Sequence, residues 1–460
     1  MKGLPGLTLL LLLPFGGPGG FAGTRPISLP EALSLAEKNS AALTALKTKI
    51  QSSERIIHER WRDFLPDATL RYQKQDTVSI REEDSRYQSA QLELGYDIHT
   101  SGRTFALYRI ARIAADISRT EFTIERSNLR LDVKKQYYGL LRNRGEEEIY
   151  RQLLESLELQ KRIIAEEVRL GTATELQKIQ VEARIYEARY GILRSKNDYN
   201  EGIKRFLILL GLSQDDSREP SPPKEDLPDP EEISTDIPGR TRRAYLLRGD
   251  FRRLGLLMNR TREEAKLARH YYMPRVRLTG SYGYMGTDVP MNRRIWSVGI
   301  SVTASLFGSS AGAGQTLGEK ESGHTRFSER EASVSLYDDP SFRRVLMEAE
   351  AAYLEVSLSH QLMKKSIAVE IERDCRRIRE IRLSLEAAKS NVEMLRRQLA
   401  IENEKARLGD IARYEVLKTC IELSQARLRL LSSQIEYRIA AAVLEKAAGI
   451  DMTGGHGVGR

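Results

Sequence analysis

The property that most restricts this chain is that it repeats itself. Arg169-Leu170-Gly171 recurs as Arg407-Leu408-Gly409, 238 residues further on. At the same spacing Ala188-Arg189 returns as Ala426-Arg427, Tyr199 as Tyr437 and Gly211-Leu212 as Gly449-Ile450, with no gap needed. A second set repeats at 208: Leu65-Pro66 as Met273-Pro274 and Ile98 as Leu306. The spacings differ by 238 − 208 = 30, so the second copy carries about thirty extra residues, placed at about 312–341, where Gly, Ser, Glu and Asp are dense. Internal repetition settles architecture before any local propensity does. The chain divides into a first repeat at 23–212, a linker at 213–239, a second repeat at 240–450 and a Gly-rich flexible tail at 451–460. The linker holds Glu219-Pro220-Ser221-Pro222-Pro223 and Pro228-Asp229-Pro230, a proline density that no helix survives.

Each repeat reads helix, strand, strand, long helix, helix. Trp296, Val298, Ile300, Val302, Ala304 and Leu306 alternate with Ser297, Gly299, Ser301, Thr303 and Ser305. Ala90, Leu92, Leu94, Tyr96 and Ile98 alternate with Gln91, Glu93, Gly95 and Asp97. Ala68, Leu70 and Tyr72 start another such run, as do Val276, Leu278, Tyr282 and Tyr284. These runs predict strands at about 66–76, 87–98, 274–285 and 295–306. Period two over ~10 residues suits a half-buried sheet or a membrane strand with one lipid face. Ser and Thr opposite the apolar residues favour a wet lumen. Trp61 and Trp296 flank strands where interfacial aromatics sit. Four strands cannot close a barrel, and open edges are not tolerated in lipid. If these strands span a membrane, several chains must share one barrel.

The remainder is helical. Leu176, Ile179, Ala183, Tyr186, Tyr190 and Leu193 step by threes and fours, as do Leu385, Ala388, Val392, Leu395 and Leu399, the spacing of a coiled-coil seam. No proline interrupts about 103–168 or 342–407, and at ~1.5 Å per residue each could reach ~100 Å, which implies a rod or tube. Each Arg-Leu-Gly then ends a long helix, with Gly171 or Gly409 at the turn into the next one.

Composition removes other classes. Hydrophobic residues make up 40% and charged ones 30%, which argues against wholesale disorder. One apolar run, Leu7 to Phe15, approaches spanning length; with Lys2 before it and Gly20-Phe21-Ala22 after it, residues 1–22 read as a secretory signal peptide. The net charge of +9 comes from 73 basic and 64 acidic residues. These interleave along helical stretches, and no nucleic-acid motif accompanies them. Cys375 and Cys420 are too few for a disulfide framework. No nucleophile elbow, P-loop, dinucleotide fingerprint or zinc spacing occurs. The six histidines are scattered, with His324 in the extra segment read as solvated, and Asp338-Asp339 before Pro340 reads as a helix cap. No enzyme activity, cofactor or metal is expected.

Taken together, the opening Ser28-Leu29-Pro30-Glu31-Ala32-Leu33-Ser34-Leu35-Ala36, the Leu65-Pro66 start of the first strand, the strand pairs, the Gly-ended hairpins and the duplication resemble the TolC-like outer-membrane efflux family. The resemblance runs from Ile27 to Ile450. It implies a mixed α+β membrane fold: a homotrimer in which each chain gives four strands to a twelve-stranded outer-membrane barrel and helical hairpins to a periplasmic α-barrel. It implies as partners a periplasmic adaptor protein, an inner-membrane pump and outer-membrane lipid, with no nucleic acid. Adaptor docking falls on Arg169, Leu170, Gly171 and Thr172, and on Arg407, Leu408, Gly409 and Asp410. The periplasmic aperture falls on Glu415 and Lys418. Some members carry two acidic rings there; here the second position is a base, so two acidic rings do not form, and Glu415 could pair with Lys418 of a neighbouring copy. The function implied is an exit duct for a tripartite efflux pump or type I secretion system. Two rivals remain: a secreted periplasmic coiled-coil scaffold and a non-conducting structural anchor.

Overall fold

The computed structural model of the chain describes residues 25–77, 85–213, 218–220, 236–320 and 325–449. The signal peptide, the flexible tail, most of the linker and His324 lie outside these residues. In chain order the elements are β1 (Arg25–Ile27), α1 (Leu29–Asn39), α2 (Ala41–Arg62), β2 (Asp67–Thr77), β3 (Ser85–His99), α3 (Arg103–Arg169) and α4 (Glu175–Leu209). The linker and second repeat supply β4 (Arg218–Pro220), α5 (Ile237–Leu247), α6 (Gly249–Arg269), β5 (Arg275–Gly286), β6 (Arg293–Leu306), β7 (Ser309–Lys320), β8 (Thr325–Ser335), α7 (Phe342–Leu408) and α8 (Arg413–Ala447). The duplication is visible in helix lengths: α3 and α7 both have 67 residues, and α4 and α8 both have 35.

Local chemistry sets several boundaries. Ser40 separates α1 from α2, its hydroxyl accepting from the Leu43 amide at 3.2 Å. The Asp236 carboxylate caps α5 by accepting from the Gly239 amide at 3.2 Å, and Pro238 sits in the first turn. Helix therefore begins inside the last residues of the Pro-rich linker. Part of that linker is also strand: β4 pairs in parallel with β1, Arg25 to Pro26 and Ile27 facing Arg218 to Glu219 and Pro220. Asp339 receives hydrogen bonds from the Ser341 amide and hydroxyl just before α7, a capping role for that acid.

The chain forms two interleaved compact units. The first comprises Met1–Asn39, Asp132–Pro230 and Ser384–Arg438, and the elements among its described residues are helices apart from the β1–β4 pair. The second comprises Ser40–Leu131, Glu231–Leu383 and Ile439–Arg460 and contains the large sheet.

That sheet is antiparallel, with six strands in the order β2-β3-β5-β6-β7-β8. The strand hairpins of the two repeats pair through β3 and β5, Leu92 facing Tyr282 and Leu94 facing Gly280. The four runs read from sequence are strands. The expected count of four strands in the chain is corrected to six: the segment placed at 312–341 as an insertion contributes β7 and β8. Its sequence hides them. β7 places Gly312, Gly314 and Gly318 on one face and β8 carries Glu329 and Glu331, residue types depleted in strands, and the charges of Arg326 and Arg330 break any apolar alternation in β8. They are held by pairing with the open edge of β6, from Leu306 opposite Ser309 to Trp296 opposite Glu319.

The two faces of the sheet differ in chemistry. Leu70, Leu92, Tyr282 and Trp296 lie in one row on one face, and Leu70 is 78% exposed. The opposite face is polar: the Ser281 and Ser297 hydroxyls lie 2.8 Å apart, and Arg277 bonds Asp67 at 2.8 Å and Asp97 at 3.3 Å. Strands of 11 to 15 residues reach the ~9–11 residues that cross a bilayer at a tilt. No helix among the described residues is long and apolar enough to cross a membrane.

Candidate functional site

The repeated Arg-Leu-Gly segments are the tips of two helical hairpins, both in the first unit. At the first, Gly171 adopts φ 77° and terminates α3. The Thr172 amide donates back to the Glu167 carbonyl at 2.9 Å and the Gly171 amide to Val168 at 3.1 Å. At the second, Gly409 has φ 84°; the Asp410 amide reaches Lys405 at 3.0 Å and the Gly409 amide reaches Ala406 at 3.4 Å. Both are Schellman turns, which need a left-handed residue at this position. No heavy atom outside the local chain lies within 4 Å of a methyl group built on either glycine. Conformation alone therefore requires glycine there.

The side chains around the glycines point into solvent. Leu170 is 69% and Leu408 77% exposed. Arg169 donates to Glu166 at 2.8 Å, and Arg407 to Glu404 at 3.1 Å. Glu166 and Glu404 also stand at the repeat spacing, a signal the sequence reading passed over. Exposed pairs of this kind contribute little stability; they lay each guanidinium along its own helix.

The helices leaving the tips differ. α4 opens with a capping box: the Thr174 hydroxyl accepts from the Gln177 amide and the Gln177 side chain accepts from the Thr174 amide. At the matching positions of α8 stand Ala412 and Glu415. Alanine has no acceptor, so the box is absent. Glu415 and Lys418 are both exposed on the same side of the first turns of α8. Neither side chain has a hydrogen bond or ion pair with another described residue. Glu415 lies where a helix N-terminus favours negative charge.

Behind the tips, Leu153, Leu157 and Ile164 of α3, Val181, Ile185 and Ala188 of α4, and Leu417 of α8 form one core, with Tyr150 and Tyr414 packed on it. Gly191 admits the Tyr150 ring, which lies 2.7 Å from a methyl group built there. Beside this core is a cavity of about 600 Å³ lined in part by Arg142, Glu146, Arg194 and Asp198. Burial holds the Glu146 carboxyl above its ordinary value, against the opposing pull of Arg142 and Arg194. A second core joins α7 to α8 through Val392, Leu395, Leu423 and Ala426. α8 thus packs against α7 on one side and the first hairpin on another.

The two sequence seams have different fates. Leu385, Val392 and Leu395 are buried within the chain. Leu176, Ile179, Tyr186, Tyr190 and Leu193 are exposed, Tyr186 at 69% and Tyr190 at 65%. The buried stripe of α4 is instead Val181, Ile185, Ala188, Gly191 and Ser195. At ~100° per residue the two stripes occupy opposite faces. α7 likewise leaves Met394, Ile401 and Leu408 exposed at heptad spacing.

Cys375 is buried and Cys420 half-buried, both as free thiols, and no cluster of metal-ligating side chains forms among the described residues.

Residues 32–211, most of the first repeat, match the sequence model of the outer membrane efflux protein family. Among curated proteins none matches the chain in sequence. In fold it is similar to the Campylobacter jejuni CmeC outer membrane channel, with 17% identity, TM-score 0.71 and coverage of 92% of this chain and 85% of that one. The outer membrane protein VceC of Vibrio cholerae aligns at 16% identity and TM-score 0.72, over 92% of this chain and 96% of that one. The open state of the Neisseria gonorrhoeae MtrE outer membrane channel aligns at 15% identity and TM-score 0.69, over 92% and 89%.

Proposed function

From a chain whose first repeat matches the outer membrane efflux protein family and whose fold is that of outer-membrane channels, we propose that three copies form a passive exit duct of a tripartite efflux pump or type I secretion system. The observation that carries this reading is the sheet. Across β2, β3, β5 and β6 it exposes an apolar face opposite a hydroxyl-rich one, on strands long enough to cross a bilayer. Such a face needs lipid, and the polar face suits a water-filled lumen. The helical unit then belongs to the periplasm.

The exposed seams supply the contact between copies. A helix apolar on opposite faces is built to sit between two neighbours. Leu176, Ala183 and Tyr190 of α4 are spaced by sevens, as are Leu408, Ile401 and Met394 of α7, which runs the opposite way relative to its tip. The α4 seam of one copy would pack on the α7 seam of the next.

The tips are the docking surface for a periplasmic adaptor, through Arg169, Leu170 and Thr172 and through Arg407, Leu408 and Asp410, with Gly171 and Gly409 fixing the turns. Glu415 and Lys418, exposed and unpaired within the chain, line the periplasmic aperture. With one acid and one base per copy, the aperture alternates in charge and a Glu415 can reach Lys418 of the neighbouring copy. Energy comes from an inner-membrane pump, since the sequence holds no nucleotide-binding motif.

Planar-bilayer recording of the detergent-extracted protein tests this reading. The expected result is ion conductance that rises in a Glu415→Ala/Lys418→Ala variant as the aperture loosens. A Lys418→Glu variant, carrying two acidic rings, should become more cation-selective and more readily blocked by divalent cations. Absence of conductance from the wild type and all variants would return the chain to a structural anchor.

A further inference from the structure

The family resemblance implies four strands per chain, and this sheet has six. The difference changes which edges meet. In the order β2-β3-β5-β6-β7-β8 the outer edges are those of β2 and β8. The outer edge of β6 is already filled along β7, from Trp296 opposite Glu319 to Leu306 opposite Ser309. An open edge within lipid leaves backbone amides and carbonyls without partners. Each β2 and β8 edge therefore needs a strand from another molecule.

We propose that β8 of one copy pairs antiparallel with β2 of the next along their full lengths, so that three copies close an eighteen-stranded barrel (three sheets of six). The inference rests on the duct reading above and deepens it. Strand polarity permits it: six antiparallel strands leave β8 running opposite to β2. Length permits it too, since β2 and β8 both have 11 residues. Full overlap sets Asp67 opposite Ser335 and Thr77 opposite Thr325.

That register matches the chemistry of both faces. On the apolar face it opposes Ala68 with Val334, Leu70 with Ala332, and the Tyr72 ring with the Arg330 guanidinium. Near the far end it opposes Asp76 with Arg326. On the polar face it opposes Arg71 with Glu331. Opposite charges directly across a ladder are favourable. Arg326, Glu329, Arg330 and Glu331 have no ion pair with other described residues within the chain.

Barrel geometry gives an independent check. The row that starts at Leu70 passes through Leu92, Tyr282, Trp296, Glu319 and Arg326. In the proposed register it arrives at Asp76 of the next copy, about six residues further along β2 after six strands. A shear equal to the strand number is the relation found in the eight-stranded barrel of shear 8, where the tilt is ~36°. Membrane barrels tilt by ~35–45°. The apolar band drifts in the same sense. It centres near Leu70 in β2 and near Ile300 in β6, further down the rows. Continued, it runs through Ala311, Ala313 and Leu317 of β7 and centres on Ala332 and Val334 of β8. Arg326 then falls beyond the band, while Arg330 stays inside it, opposite Tyr72 and two residues from Leu70, where its guanidinium needs that ring as a partner.

The functional consequence is bore. With strands ~4.8 Å apart and tilted ~36°, eighteen strands give a barrel radius of about 17 Å, against about 12 Å for twelve. Barrels of that strand number leave an aqueous channel.

Cysteine pairs test the edge. In a Cys375→Ala/Cys420→Ala background, Leu70→Cys/Ala332→Cys and Ala68→Cys/Val334→Cys would be oxidised in membranes with copper phenanthroline. The expected product is a ring of three linked chains that reducing agent dissolves, and that neither single cysteine yields. Leu70→Cys/Ile300→Cys probes the alternative, in which β7–β8 is displaced and β6 meets β2 of the next copy. Linkage through that pair, a ring closed by two chains, or absence of both β8 links in a detergent-extracted particle of three chains would each overturn the proposal. A protein extracted without detergent as a soluble monomer would instead remove the duct reading beneath it.

Discussion

Single atoms decide how the hairpin tips are set. Thr174 offers the first amides of α4 a hydroxyl; Ala412 offers those of α8 a methyl group. An Ala412→Thr substitution should raise stability by about 1 kcal/mol, read as a shift in thermal unfolding. It should also draw Glu415 back toward the cap, as Gln177 is drawn at the first tip, and so lessen the effect of Glu415→Ala on conductance. Gly171→Ala and Gly409→Ala should each cost about 1 kcal/mol from left-handed strain. Gly211→Ala should cost more, because Gly211 has φ 66° and a methyl group there meets the Asn39 Cβ at 2.6 Å. Glu146 gives a pH-dependent case. Burial raises its folded-state pKa above 4.5, so protonation favours the folded state. The penalty is absent below the unfolded value and grows as pH rises through the folded one. Glu146→Gln should therefore be indistinguishable from wild type in stability near pH 4 and more stable at pH 7, as measured by denaturant unfolding at both values.

At the scale of elements, a helix can carry two apolar stripes for two different purposes. Ile185 lies in the internal stripe of α4, and Ile185→Ala should destabilise the fold by about 2–5 kcal/mol through the cavity it leaves. Tyr186, its neighbour in sequence, lies in the external stripe. Tyr186→Ser/Tyr190→Ser should leave the single chain's stability nearly unchanged while lowering the fraction of three-chain particles seen by mass photometry in detergent. The heptad of α4 was legible as a seam but not as an external one: the spacing of Leu176, Ile179 and Tyr186 says that a stripe exists, and only packing says which stripe the chain itself covers. The strands divide in the same way. Trp296 to Leu306 announce β6 by alternation, whereas Ser309 to Lys320 follow no apolar period and become a strand because β6 presents a free edge. Local propensity carries the first kind of strand, and tertiary pairing carries the second.

For the whole molecule, duplication was the most informative property of the sequence. The 238-residue spacing placed both tips, and the equal lengths of α3 and α7 and of α4 and α8 are its structural expression. The roles of the tip residues were less legible. Arg169, Leu170, Arg407 and Leu408 are exposed, but exposure alone names no partner. The unpaired state of Glu415 depends on an alanine three residues earlier. The membrane reading rests on the sheet's two faces, and its decisive test is the mass of the mature protein after membrane fractionation and extraction. The expected result is a particle of three chains that leaves the membrane only with detergent. A monomer or dimer released by buffer alone would contradict the duct and leave a periplasmic coiled-coil scaffold in its place.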